Sequence, residues 1–288
     1  MHPRETAAAF LRARRDRVTP EAAGLPGGGD RRVPGLRRTE VAMIAGVSVE
    51  YYTRLERGNL RGVSPGVLDA LGRALRLDPV EREYLHDLAR LATVPARPAT
   101  PVAPPGPVPP ALLQIIEGMP HLPAYVANHR MDVLACNSLG RALYAPLWST
   151  AGNEGNLARF GFLDPAARSF YPDWAEMARF AAGFLRRETA RDPGDQQLAA
   201  LVAELSARSQ DFRQAWAAQE VTALRAAKRI HHPLVGDIAL QMDTLQAIGN
   251  DGLSVVVYTP IAGAGGAEAL ALLEMQAPAP QHPAEVRR

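Results

Sequence analysis

Residues 36–58 constrain the fold of this chain more strongly than any other stretch. Thr39 is a suitable N-cap for a short helix, and Gly46 provides the backbone freedom to end that helix in a sharp turn. The small or apolar residues between them recur on one helical face: Val41, Ala42, Ile44 and Ala45. The pattern therefore predicts a short helix with one buried side, followed by a tight turn.

A second helix is predicted directly after that turn. Ser48 caps it, it runs from Val49 to Arg57, and Gly58 ends it. The periodicity turns Val47, Tyr52 and Leu55 inward. The residues left facing outward are Val49, Glu50, Tyr51, Thr53 and Arg54. Two helices that cross around a glycine turn form a helix-turn-helix, which places its second helix in the major groove of DNA.

The sequence of this stretch resembles the Cro/repressor-type (XRE) family of bacterial regulators. The resemblance lies in Gly-Leu-Arg-Arg-Thr-Glu-Val-Ala, Ala-Gly-Val-Ser and Tyr-Tyr-Thr-Arg-Leu-Glu-Arg-Gly. It implies sequence-specific binding to double-stranded DNA. The alternative is a helical pair inside an ordinary α-helical domain.

Positive charge gathers just before and within the helix-turn-helix. Residues 4–38 contain 9 Arg and 4 acidic residues, although the whole chain has a net charge of only +2. Such a cluster suits a phosphate backbone. The arginines of a first predicted helix, over residues 5–17, either reach phosphates or form a solvated face: Arg12, Arg14, Arg15 and Arg17.

Two sets of DNA contacts follow from this arrangement. Arg54 can donate to guanine O6 and N7, Glu50 can accept from cytosine N4, and Val49 and Tyr51 can touch a thymine methyl group or the backbone. The phosphate-contacting set is Arg31, Arg32, Arg37, Arg38, Thr39, Ser48, Thr53 and Arg57.

Composition shifts along the 288 residues predict two domains. A mainly α-helical helix-turn-helix domain of five helices covers residues 1–92. Residues 93–110 contain 8 Pro, which predicts an extended linker. Residues 111–275 form the second domain, and residues 276–288 a flexible tail.

The sequence of the second domain predicts an α+β fold. A short helix and two strands precede several helices, and three further strands and a final helix follow; this order predicts helices covering one face of an antiparallel sheet. The domain resembles the PAS-like ligand-binding domain of MmyB-like regulators, notably in Asp-Val-Leu-Ala-Cys-Asn and Lys-Arg-Ile-His-His-Pro-Leu-Val-Gly-Asp. It departs from that family at Gln219-Glu220-Val221, where a His-containing run is more usual.

That resemblance implies a small apolar ligand such as a fatty acid, held between the helices and the sheet. The candidate pocket residues are Cys136, Phe160, Phe162, Trp174, Phe180, Phe184 and Met242. For each of them, ordinary core packing is the alternative. No cofactor is implied.

The sequence offers no pattern for catalysis or metal binding. His231 and His232 are adjacent on a predicted strand, so they point to opposite faces and cannot readily share an ion. Cys136 is the only cysteine and has no motif-placed histidine, which favours a structural thiol in a reducing cytoplasm. No secretion signal or membrane-spanning stretch is recognisable.

The sequence therefore predicts a non-enzymatic, cytoplasmic transcription regulator that binds DNA, senses an effector through its second domain and acts as a homodimer. A protein-interaction adaptor, in which the helical domain binds another protein, is the alternative. An enzyme carried on the second domain is a third reading.

Overall fold

The computed structural model describes residues 3–26, 35–93, 107–220, 227–247 and 252–276. The chain divides into two compact units. The first consists of Met1–Pro101, Ala182–Gln196 and Ala215–Ala223, and the second of Val102–Ala181, Gln197–Gln214 and Leu224–Arg288. Most of the predicted linker and almost all of the predicted tail lie outside the described residues. The domain boundaries drawn from composition stay a prediction.

The first unit contains the five predicted helices of the N-terminal region. They are α1 (Pro3–Arg17), α2 (Arg38–Ala45), α3 (Val49–Glu56), α4 (Pro65–Ala74) and α5 (Pro79–Thr93). All five contribute to one apolar core, which includes Phe10, Leu11, Tyr52, Leu55, Leu71, Tyr84 and Leu85. The rings of Phe10 and Tyr84 meet edge to face, with centroids 5.1 Å apart. The predicted helix-turn-helix fold is confirmed.

Two details of the first helix of the pair differ from the prediction. Helix α2 begins at Arg38, with Arg37 rather than Thr39 at the N-cap. The Arg37 N–H donates to the Glu40 carboxylate at 2.6 Å, so a side chain three residues later satisfies the helix start. Ile44 is 38% exposed, and the residues that α2 contributes to the core are Val41, Ala42 and Ala45.

The second unit alternates strands and helices in the predicted order. Its strands are β1 (Ala124–Asn128), β2 (Val133–Cys136), β3 (Ala227–His232), β4 (Gly236–Gln246) and β5 (Leu253–Pro260). Its helices, of which α11, α12 and α13 have residues in the first unit, are α6 (Pro110–Glu117), α7 (Ser138–Leu143), α8 (Ala145–Ser149), α9 (Leu157–Leu163), α10 (Ala166–Phe170), α11 (Trp174–Arg191), α12 (Gln196–Arg208), α13 (Gln210–Ala217) and α14 (Gly266–Gln276). Helices α8 and α10 were not predicted, because five residues are too few to show a helical period.

The five strands form one antiparallel sheet in the order β2-β1-β5-β4-β3. Both faces are covered in part, which corrects the prediction of helices on one face only. Tyr125 on β1 points into the larger core with helices α7 to α11, whereas Val126 points to a smaller core under Ile116 of α6. All five residues of β1 are buried for this reason.

Candidate functional site

The recognition helix α3 is positioned by its turn and its cap. Gly46 adopts φ 66°, a left-handed conformation that glycine enters without steric cost, and it ends α2. The Ser48 hydroxyl then accepts a hydrogen bond from the Tyr51 N–H at 3.1 Å and starts α3. Tyr52 and Leu55 are fully buried and hold the inner face of the helix. The other face is therefore fixed toward solvent.

The four residues predicted to contact bases lie together on this outer face. Glu50 and Arg54 are exposed, Val49 is 36% exposed, and Tyr51 is half-buried. The Arg54 guanidinium lies over the Tyr51 ring, 4.8 Å from its centroid. This stacking leaves the donors at the guanidinium edge available and restricts the motion of a long side chain.

A buried carboxylate holds the end of α3. Glu56 is 2% exposed and accepts hydrogen bonds from Arg15 Nε and Arg38 Nε, each at 2.5 Å. The Tyr52 hydroxyl lies 3.3 Å from the same carboxylate. Burial alone would raise the pKa of Glu56, but the bonds from Arg15 and Arg38 outweigh it and hold that pKa below its usual value. Asp16 also lies 3.0 Å from Arg15 Nη1, so two carboxylates face the two guanidinium groups of this cluster.

This cluster corrects the expectation for the arginines of the first helix. Arg14 and Arg15 are buried in ion pairs with Glu81 and Glu56, so neither belongs to a solvated, phosphate-contacting face. Arg12 and Arg17 are exposed, although Arg17 donates two hydrogen bonds to Glu81. The spacing along a helix could not reveal this, because both acidic partners come from other helices.

The remaining phosphate-contacting candidates are placed as follows. Arg37, Thr39 and Arg57 are exposed, and Thr53 is half-buried. The hydroxyl of Ser48 already caps α3. Arg38 pairs with Glu56, but its side chain remains 52% exposed. Arg31 and Arg32 lie outside the described residues.

The seven predicted pocket residues lie in different surroundings, and their role as a pocket stays a prediction. Phe160 and Met242 are buried in the larger core of the second unit, and Cys136, Phe162 and Trp174 pack against that core. The ring of Phe180 lies 5.7 Å from Lys228 Nζ. Phe184 belongs to the first unit. Burial raises the pKa of the Cys136 thiol, which makes it a poor nucleophile.

Four tyrosines meet inside the larger core, and none of them is among the seven predicted pocket residues. Tyr125, Tyr144, Tyr171 and Tyr258 are all buried, and the hydroxyls of Tyr144 and Tyr258 are 2.6 Å apart. Burial raises the pKa of all four phenols, so they stay neutral. They bring hydroxyl groups into an otherwise apolar interior. In the sequence, only their position within the apolar periodicity of the strands and helices indicates that these tyrosines are buried.

An open-sided cavity of about 730 Å³ lies elsewhere in the second unit. Its apolar walls include Val133, Leu147 and Leu201. On its polar side, Arg159 donates to Glu204 at 2.9 Å and to Glu154 at 2.6 Å. None of the seven predicted pocket residues lines it. Its volume falls in the range typical of small-molecule sites.

The described residues offer neither a metal centre nor a membrane span. Among them, no group of three or more His, Cys, Asp and Glu side chains is arranged to hold an ion. His231 is exposed and His232 buried, as their alternation on β3 requires. In the same part of the chain, no helix is both long enough and apolar enough to cross a bilayer.

Comparison with known families assigns both halves of the chain. Residues 7–85 match a helix-turn-helix domain. Residues 108–273 match the MmyB-like transcription regulator ligand binding domain. A search of curated proteins gave no match. Together, a helix-turn-helix and a ligand-binding domain make this chain a ligand-sensing DNA-binding regulator, and the chain belongs to the family of MmyB-like transcription regulators.

Proposed function

We propose that α3 reads DNA sequence through Val49, Glu50, Tyr51 and Arg54. The observation that carries this proposal is their common outer face, opposite the buried Tyr52. Arg54 donates to a guanine and Glu50 accepts from a cytosine. Stacking on Tyr51 lowers the entropy that Arg54 loses on binding.

Phosphate contacts come from the exposed residues that flank α2 and α3. Arg37, Thr39 and Arg57 are free to reach the backbone on either side of the major groove. Arg38 contributes a guanidinium group whose side chain remains 52% exposed although it pairs with Glu56. Because this charge is half-exposed, its effect on DNA binding should fall with added salt.

The effector is proposed to be a small, mainly apolar molecule, of which a fatty acid is the example implied by the family resemblance. The cavity beside Arg159 is the candidate site proposed here, since Phe160 is buried in the core and Phe162 and Trp174 pack against it. A fluorescent fatty-acid analogue tests this directly. Ala200→Trp should abolish its binding, whereas Ala199→Trp, whose position does not line the cavity, should not.

A homodimer is also proposed, because a single recognition helix reads only a few base pairs. Sedimentation of the full chain measures this. A monomer at the concentration that saturates a DNA site would remove the dimer from the proposal.

DNA binding is tested with fragments selected from the host genome. Arg54→Ala should weaken binding by about 1–3 kcal/mol and relax base preference at one position per half-site. Arg76→Ala, an exposed arginine after α4, removes the same charge away from α3 and serves as the control. Unchanged affinity and preference in Arg54→Ala would refute the assignment of α3.

One observation favours the adaptor alternative. Met43 and Ile44 on α2 are 63% and 38% exposed, which gives this helix an apolar outer strip beside the proposed DNA face. Salt distinguishes the two functions, because counterion release weakens DNA binding steeply with salt whereas an apolar protein contact is insensitive to it.

A further inference from the structure

Two segments from the second half of the sequence complete the first unit. Residues 182–196 and 215–223 lie inside the match to the ligand-binding domain, yet they group with the five helices of the N-terminal region. Ala190 joins the apolar core of those helices. Arg191 Nη2 lies 2.8 Å from the Glu83 carboxylate on α5. The DNA-binding unit is thus larger than the helix-turn-helix match.

Arg14 on α1 links these segments to the helices. Its side chain is 2% exposed, its guanidinium donates to the Gln219 carbonyl, and its Nε lies 3.1 Å from the Glu81 carboxylate on α5. The guanidinium also lies over the Phe10 ring, 4.9 Å from the centroid. Removing a guanidinium from water is costly, so Arg14 is stable here only while these partners are in place together.

The residue after Arg14 holds the recognition helix. Arg15 Nε donates to Glu56 at the end of α3, and Arg15 Nη1 donates to the Leu36 carbonyl at 2.8 Å. Successive side chains on an α-helix point about 100° apart. Helix α1 therefore presents Arg14 to Gln219 and Arg15 to Glu56 from adjacent positions.

We propose that Arg14 is a positioning residue for DNA readout, because it fixes α1 between Gln219 and α5 and so lets Arg15 hold the end of α3. This inference rests on the proposed function, in which α3 reads the bases. Since residues 215–223 belong to the ligand-binding match, the same contact connects that part of the sequence to the recognition helix. A change in the position of Gln219 would then change how firmly α3 is held in place.

The acceptor of the Arg14 hydrogen bond is the backbone carbonyl of Gln219. Gln219 has φ 54°, a left-handed conformation that is uncommon outside glycine. Its side-chain Oε1 is buried with no hydrogen-bond partner among the described residues. Arg186, 1% exposed, donates to the carbonyls of Trp216 and Glu220 on either side of it. The carbonyl of Gln219 is thus held by the surrounding chain and not by its own side chain.

Hydrogen exchange of the full-length protein tests the proposal without DNA. In Arg14→Met, which keeps the apolar stem, amides of residues 49–58 should exchange about tenfold faster, the factor expected for about 1.4 kcal/mol. Amides of α4 should keep their wild-type rates. Arg12→Met removes the same charge from an exposed position on the same helix and should change neither region.

A merely structural role would give a different result. If Arg14→Met raised exchange equally in α3 and α4, or left α3 unchanged, the proposal would be overturned. Arg14→Lys, which retains the charge, should restore part of the protection of α3.

The contact is then tested from its other side. Gln219→Val places a β-branched residue at positive φ and should speed exchange in α3 as Arg14→Met does. Gln214→Val, at an exposed helical position on α13, is the matched control. A wild-type exchange pattern of α3 in Gln219→Val would contradict the link.

DNA titrations separate this inference from the proposed function. Arg14→Met should lower affinity while leaving the salt dependence unchanged, because Arg14 makes no phosphate contact. A wild-type protein that binds no DNA would refute the proposed function, whereas the exchange measurements would still decide the role of Arg14.

Discussion

Replacing Glu56 by Gln tests whether a single buried carboxylate holds the recognition helix. Gln keeps the shape of the side chain but removes the charge that Arg15 and Arg38 share. The Arg15 side chain is only 10% exposed, so it would be left largely buried without its main counter-ion. The first unit should therefore lose stability, and most of the loss should appear at α3.

The size of the effect follows from what each arginine retains. Breaking a buried ion pair by removing one partner costs about 3–5 kcal/mol. Arg15 keeps its bond to the Leu36 carbonyl and its contact with Asp16, and Arg38 can turn to water. We therefore expect a smaller loss, of about 2–3 kcal/mol in the free energy of opening.

The effect depends on pH in a direction that the lowered pKa of Glu56 determines. A carboxylate whose pKa is lower in the folded state stabilises that state above the unfolded pKa, and this stabilisation is lost as the pH falls through the folded pKa. The difference between wild type and Glu56→Gln should thus be constant near neutral pH. It should shrink once the pH falls below about 4.3, the ordinary value for Glu.

Hydrogen exchange of peptides from α1 to α5 measures this loss. Protection of residues 49–58 should fall about 30- to 150-fold in Glu56→Gln at neutral pH. Glu50→Gln makes the same chemical change at an exposed position of the same helix and should alter opening by less than about 0.5 kcal/mol. Equal effects of the two substitutions, or a difference that persists unchanged at pH 3, would refute the reasoning.

Three further predictions concern the second unit. Tyr258→Phe removes the hydroxyl that lies 2.6 Å from that of Tyr144, and chemical denaturation should show a loss of about 1 kcal/mol in the free energy of unfolding; no loss would mean that this bond contributes nothing net. Burial lowers the pKa of His232, so stability should decrease as the pH falls below about 6.5; His232→Gln should flatten that part of the stability profile, and an unchanged profile would exclude His232 as its source. Asn137→Ala removes the cap of α7 and the amide that donates to three backbone carbonyls. The free energy of unfolding should fall by about 2–4 kcal/mol in the same denaturation assay. A loss below about 1 kcal/mol would show that water replaces those bonds.

Local patterns in the sequence were sufficient for the elements themselves. Ser48 and Gly46 predicted the turn and the start of α3, because capping and left-handed backbone depend only on a few neighbouring residues. The three strands predicted after the helices are present as β3, β4 and β5, since β-branched and alternating apolar residues leave little choice of conformation.

The partners of charged side chains could not be predicted in this way. A run of arginines on α1 gave the same pattern whether its members faced phosphates or carboxylates. Glu56 follows Arg15 by 41 positions, and Gln219 follows Arg14 by 205. Only the packing of the helices brings these groups together, and burial then makes the pairing obligatory.

The sequence by itself thus determined the order of elements, the helix-turn-helix and the outward face of α3, because each follows from the periodicity of side chains along one segment. The tertiary structure decided which arginines remain available for DNA, which residues line a cavity, and that residues 182–196 and 215–223 complete the helical unit. These features depend on contacts between segments far apart in the chain, and no local period encodes such contacts.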